Sequence, residues 1–238
     1  MTAWVDEVST WRAGRCFAIT VGVLVAFNIG RAYGLLGPPV LSAGILFAVL
    51  ILIAWRTGAS LADIGLDRRH AAAGLVYGAG AFGLVLLVLL VAAVLPATNG
   101  FLHDSRAHIS GGRLLYELGI EVILLTAIPE ELAFRGVLLG SGLRLWGRRR
   151  ASLITSALFG LWHIAPTLET TVHNQAVGSL GVSGSGRVLE VIVTVAATSI
   201  AGLVFCWLRL RSKSLIAPVM AHIAVDGLAL AVAWFVVH

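Results

Sequence analysis

Charge is scarce in this chain. Lys, Arg, Asp and Glu make up 12% of its 238 residues, against about 25% in soluble domains. So little charge cannot clothe a surface that faces water on all sides, which excludes an ordinary soluble globular protein. Lysine is nearly missing as well. Lys213 stands alone among the 17 basic residues, and the other 16 are Arg. Cysteine is limited to Cys16 and Cys206, too few for a disulfide-stapled scaffold. Both lie in or at the ends of apolar runs and read as small core residues. There is no internal repeat, and the Gly/Ser-rich stretch 178–186 reads as a flexible loop, not a domain linker.

What the chain has instead is apolar length. Hydrophobic residues make up 58% of it, with a mean hydropathy of +0.94. Runs of about 20 apolar residues each suffice to cross a hydrocarbon core about 30 Å thick. The pattern predicts an all-α, polytopic transmembrane helix bundle forming one integral membrane domain over 1–238. Spans are expected near 16–36, 39–55, 71–95, 114–143, 151–166, 188–208 and 214–237. The fourth is too long for one straight crossing and contains Pro129, so a kink or a split is expected there, giving seven or eight spans. The first run is long and lacks a small-x-small cleavage site, and is read as a retained span.

The sequence pI of about 10 does not point to nucleic acid, because the basic residues lie in short patches beside the spans. Topology and anionic lipid headgroups account for them. With the N-terminus inside and seven crossings, the inner segments hold Arg12, Arg15, Arg56, Arg68, Arg69, Arg144, Arg148, Arg149, Arg150, Arg209, Arg211 and Lys213. The outer ones hold only Arg31, Arg106, Arg113 and Arg187. That asymmetry favours a cytoplasmic N-terminus. The abundance of Arg, Ala, Gly and Val suggests a GC-rich coding sequence, and a bacterial plasma membrane is expected.

Ionisable groups within a bilayer are costly and mark function. Apart from charges at span ends, they gather on three spans: Ile128-Pro129-Glu130-Glu131-Leu132-Ala133-Phe134-Arg135-Gly136, Phe159-Gly160-Leu161-Trp162-His163-Ile164-Ala165-Pro166 and His222-Ile223-Ala224-Val225-Asp226. Glu131 and Arg135 are four apart and can pair on one helix face. Glu130 is turned about 100° away and lacks that partner. His222 and Asp226 share a face of their helix by the same spacing. At 1.5 Å per residue, Glu130, His163, His222 and Asp226 fall within roughly 12–20 Å of the inner end of their helices. A carboxylate in such a pocket, held beside a histidine, can deprotonate a water for attack on a peptide carbonyl. His222 and Asp226 could stabilise the oxyanion or orient the carbonyl. Alternatively, Glu130, His163, His222 and Asp226 could hold a zinc ion that activates the water itself. The residues leave both routes open.

Taken in order, Glu130-Glu131-x-x-x-Arg135, Phe159-x-x-x-His163 and His222-x-x-x-Asp226 resemble the three motifs of the CAAX-protease and bacteriocin-processing (CPBP, or Abi) family of intramembrane proteases, which includes the type II CAAX prenyl endopeptidase. The motif-bearing core covers about 114–237. The resemblance implies that Glu130 and His163 activate the water, that His222 and the residue at 226 form the oxyanion site, and that Glu131 and Arg135 support that geometry. Many members carry Asn where this chain has Asp226. An ionised aspartate repels an oxyanion, so the resemblance requires Asp226 to be protonated, paired with His222 or Arg135, or a ligand. The family's members are often called metalloproteases, and the resemblance also fits a metal-free, glutamate-dependent mechanism. The implied partner is a membrane-tethered or hydrophobic peptide cut near the inner leaflet. Nothing in the pattern specifies an oligomeric state.

Other readings predict different things. A non-enzymatic scaffold that binds a membrane peptide, as an immunity protein does, would need none of the chemistry. A proton-coupled carrier would use the same groups as a relay, but the chain lacks repeated halves. Gly181-Val182-Ser183-Gly184 spells the G-x-S-G of a rhomboid-like serine protease in a polar loop, with no intramembrane histidine placed to serve it. No H-E-x-x-H is present, and Asp226 is the only aspartate within a span, which excludes a paired-aspartate protease. Glu117, Glu121 and Glu190 read as interfacial, and His70, His103, His108, His173 and His238 as loop or terminal residues.

Overall fold

With no water to satisfy its amides, an apolar run in a bilayer must close its own hydrogen bonds, and an α-helix does so within one segment. The computed structural model describes residues 2–95, 107–170 and 184–238, and among these there are helices and turns but no strand. In chain order the helices are α1 (Thr2–Ala32), α2 (Pro39–Arg56) and α3 (Ala71–Val94). There follow a composite helix, α4 (111–138), then α5 (Leu139–Trp162), α6 (Ile164–Thr170), α7 (Gly184–Ser212) and α8 (Ile216–Val237). The predicted loop 178–186 and the G-x-S-G tetrapeptide lie outside the described residues, except where α7 begins at Gly184.

Five helices among the described residues are long and apolar enough to cross a membrane: Ser9–Ala32, Pro39–Arg56, Arg68–Val94, Gly186–Ser212 and Ile216–Val237. Together with their lipid-type surface, including Val76, Leu84 and Phe235 at 63–73% exposure, they make the chain a multi-pass membrane protein. The expected count of seven or eight is not reached by this measure. The expected fourth span carries Glu117, Glu121, Glu130, Glu131 and Arg135, too much charge for a lipid-facing helix, and the expected fifth is interrupted at both ends.

Winding around the expected fourth span differs from the prediction. The helix does not break at Pro129. It changes pitch instead, with π-helical stretches Glu117–Ala127 and Leu132–Leu138 on either side of the short α-helical Ile128–Glu131. Such wide turns are often found at functional sites. The break comes later, at Gly147 in α5, whose φ of 71° suits glycine and which precedes the basic run Arg148–Arg150. A second interruption follows at His163, where α5 ends and α6 begins with Pro166 in its first turn.

Helix packing in membranes relies on small residues that let backbones approach. Gly74 and Gly78 bring α3 against Ser214, Ile216 and Met220 of the α8 end. Gly160 and Ser156 of α5 meet Val195, Ser199 and Gly202 of α7. Gly136 and Gly140 receive the loop 57–67, whose Ile64 and Asp63 carbonyls lie against them. Two arginines strap that loop across the end of the bundle. Arg144 donates to Asp63 Oδ2 (2.6 Å), and Arg209 Nη2 donates to the carbonyls of Ala62 (3.1 Å) and Asp63 (3.0 Å). Burial works against the Asp63 carboxylate, but hydrogen bonds from Ser60 and Arg144 outweigh it and hold its pKa below the ordinary value.

The strap closes one and two turns past the charged residues of α4, so it fixes their register. A methyl group on Gly140 would sit 2.6 Å from the Asp63 carbonyl oxygen, and backbone cannot swing aside as a side chain can. Gly140→Ala is expected to destabilise the protein by about 1–3 kcal/mol, read as a lower melting temperature in detergent. An unchanged melting temperature would show that the loop is not clamped in solution.

Candidate active site

The fold brings the charged residues of α4 and α8 into one buried network. Glu131 is fully buried, and Arg135 and His222 are 1% and 3% exposed. Arg135 Nη1 donates to Glu131 Oε1 (2.8 Å), and His222 Nδ1 donates to the same oxygen (2.9 Å) across 91 residues of sequence. On its other side, His222 Nε2 lies 3.3 Å from Asp226 Oδ2, one turn further along α8. Both nitrogens of His222 therefore face carboxylates, an arrangement satisfied when both carry hydrogen. Asp226 is paired with His222 and reaches the outside of the network, its side chain 40% exposed.

Aromatic rings wall the network. The Arg135 guanidinium carbon stands 4.0 Å from the Phe159 ring centre and 5.0 Å from that of Phe205, a favourable setting for a desolvated cation. Phe205 also stacks on His222, with ring centres 5.5 Å apart. Phe159 meets both histidines edge-on, at 6.0 Å from His222 and 4.6 Å from His163.

Glu130 has a different partner from the one expected. Instead of a histidine, Trp162 Nε1 donates to Glu130 Oε1 (2.9 Å). Its other oxygen, Oε2, is buried and has no hydrogen-bond partner among the described residues. Trp162 is itself held: its carbonyl accepts a bond from Asn28 of α1 (2.9 Å), and Phe27 and Phe134 pack on its indole with ring centres about 6 Å away. Neither Trp162 nor Asn28 stood out in the sequence. Trp162 lies inside the quoted Phe159–Pro166 segment, but only tertiary contact reveals an indole as a carboxylate's partner. The next residue, His163, is half-buried, and its Nδ1 donates to the Phe159 carbonyl (2.7 Å). That bond leaves Nε2 as the nitrogen with a free lone pair.

Glu130, His163, His222 and Asp226 thus fall into two parts, Glu130 with Trp162 and His222 with Asp226, while His163 touches Phe159. Among the described residues, no group of three or more His, Cys, Asp and Glu side chains is arranged to hold a metal. His222 has both nitrogens directed at carboxylates and offers a metal no lone pair. The donor set as arranged does not fit a metal ligand cage.

The remaining candidates lie apart. Glu117 pairs with Arg113 (2.9 Å) at the start of α4. His70 lies 3.9 Å from Asp67, and His108 lies near His238, with ring centres 6.3 Å apart. His103 and His173 lie outside the described residues. Cys16 and Cys206 are buried and unpaired with one another, Cys206 lying against Thr155 and Ser156.

One family model, type II CAAX prenyl endopeptidase Rce1-like, matches residues 114–228, just under half of the chain. The matched segment begins in α4, ends in α8 and contains every member of the buried network. Neither a curated protein nor a solved structure matches the chain.

Proposed function

We propose that this chain is an intramembrane endopeptidase in which Glu130 is the general base, a reading supported by the match of residues 114–228 to the Rce1-like model of type II CAAX prenyl endopeptidases. The observation that carries this reading is the Glu130 carboxylate, with one oxygen fixed by Trp162 and the other free of protein partners. A base so held presents one lone-pair face to a water and cannot rotate away. His163, its Nδ1 engaged by the Phe159 carbonyl, keeps Nε2 to share that water's proton and pass it to the leaving amine. Asp226 stands at the open side of the network, with His222 buried behind it. Polarised by Glu131 and Arg135, His222 is the donor for the oxyanion, turning its Nε2–H from Asp226 to the substrate as negative charge develops. Asp226 thus holds that proton donor in readiness while the site is empty.

The substrate is a membrane-tethered or hydrophobic peptide. In support, Trp162 also lines an apolar groove of about 160 Å³ between α1, α4 and α5, walled by Val25, Leu138, Leu158 and Leu161. The one polar lining residue, Asn28, is already engaged. We further take the chain as a single membrane domain with the core at about 114–237, seven or eight crossings and the N-terminus on the cytoplasmic side, as its arginine distribution favours.

The test is cleavage of a panel of membrane-tethered peptides by detergent-purified protein, wild type beside His163→Ala, with zinc measured in both. Cleavage lost in the variant at unchanged melting temperature, without bound zinc, is the expected result. Stoichiometric zinc that leaves with the His163 side chain would replace this mechanism with a metal-dependent one. A cellular phenotype that survives the substitution would favour the peptide-binding scaffold instead.

A further inference from the structure

A second polar feature lies outside the protease core, between α1 and the end of α2. Arg12, Arg15 and Arg56 converge on a cleft of about 550 Å³ there. All three side chains are exposed, and among the described residues no carboxylate pairs with any of them. Two tryptophans flank the arginines, Trp11 at 61% and Trp55 at 69% exposure. The Arg15 guanidinium carbon lies 4.6 Å from the Trp11 ring centre, and that of Arg56 lies 5.4 Å from the Trp55 ring centre. Each cation is thus steadied by an indole without being neutralised. Exposed tryptophans at helix ends sit at headgroup level in a bilayer, so the arginines stand at the same depth.

The cleft continues toward the membrane interior. Ile19 and Leu52, both substantially exposed, line it on the apolar side of the arginines and lie within the spans Ser9–Ala32 and Pro39–Arg56. A ligand that satisfies both ends must carry negative charge at one end and hydrocarbon at the other. No acidic side chain is among the described residues that line the cleft, so none of them receives the ammonium of a zwitterionic headgroup. A free phosphate would leave the apolar wall uncovered. We propose that the cleft binds an anionic phospholipid, its phosphate held by Arg12, Arg15 and Arg56 and its acyl chains laid against Ile19 and Leu52.

The experiment titrates full-length protein in detergent with phosphatidylglycerol, phosphatidylcholine or inorganic phosphate. Bound lipid is counted by native mass spectrometry, and the melting temperature is followed in parallel. Phosphatidylglycerol is expected to remain bound and to raise the melting temperature by mass action. Phosphatidylcholine and inorganic phosphate are expected to do neither. Arg12→Gln/Arg15→Gln/Arg56→Gln, three changes at exposed positions, is expected to weaken phosphatidylglycerol binding about a hundredfold. If that triple variant does not fold, Arg56→Gln alone is used, with a smaller loss expected. Equal retention of phosphatidylcholine, an equal effect of inorganic phosphate, or undiminished phosphatidylglycerol binding by a folded variant would each overturn the proposal.

Discussion

Glu130→Gln is expected to slow peptide cleavage by roughly 10²–10⁴-fold, the usual contribution of a positioned general base, while the folded and inserted protein is made in normal amounts. The substitution isolates the proton. Glutamine matches glutamate in size, and its amide oxygen can still accept the Trp162 Nε1–H bond that Glu130 Oε1 accepts at 2.9 Å. It cannot take a proton from water. Size-exclusion behaviour and melting temperature, measured beside the cleavage rate, separate lost chemistry from lost folding. Wild-type turnover in a folded Glu130→Gln protein would remove Glu130 from the reaction.

The second large effect lies in the adjacent residue's network and concerns stability. Arg135→Met is expected to destabilise the protein by about 3–5 kcal/mol, as breaking one side of a buried pair does. Glu131 has no exposure to water, and without Arg135 only His222 would remain to balance it. Arg135 also fills the space between Phe159 and Phe205, and methionine keeps much of that volume, so the expected loss is mainly electrostatic. Removing both charges is the control. Glu131→Gln/Arg135→Met leaves no orphaned ion and is expected to recover part of the lost stability, since a buried pair adds little beyond what its own desolvation costs. Thermal unfolding in detergent measures all three proteins. If the double variant is less stable than Arg135→Met by the full cost of a second independent lesion, the two residues are not coupled.

Periodicity and composition were enough to read the helices and which residues share a helix face. The Glu131–Arg135 and His222–Asp226 contacts follow from spacing of four within one helix. The apolar runs located α2, α3, α7 and α8 to within a few residues. Three features were not legible for a common reason. The His222–Glu131 bond, the Trp162–Glu130 bond and the Arg209 strap all depend on how one helix is rotated about its axis relative to another. No single-helix pattern carries that rotation. Pro129 misled for another reason. A missing amide hydrogen predicts a break, but the helix continues past Pro129 between two wider-turned stretches, and the helical backbone is interrupted instead at Gly147, whose positive φ suits glycine.

The separation of 91 positions between Glu131 and His222 also sets an order of events during synthesis. Glu131 and Arg135 leave the ribosome almost together and can enter the bilayer as a self-neutralised pair. The histidine that completes their environment, and the aspartate beyond it, arrive only after α5, α6 and α7 have been made. Under the roles proposed above, a nascent chain stopped before α8 carries Glu130 as the base, Trp162 and His163, but lacks His222 as the oxyanion donor. On that assignment the protein is made without hydrolytic power and acquires it when its last helix seats, so a newly made molecule would not attack its neighbours, or itself, while its own segments are still unassembled in the membrane.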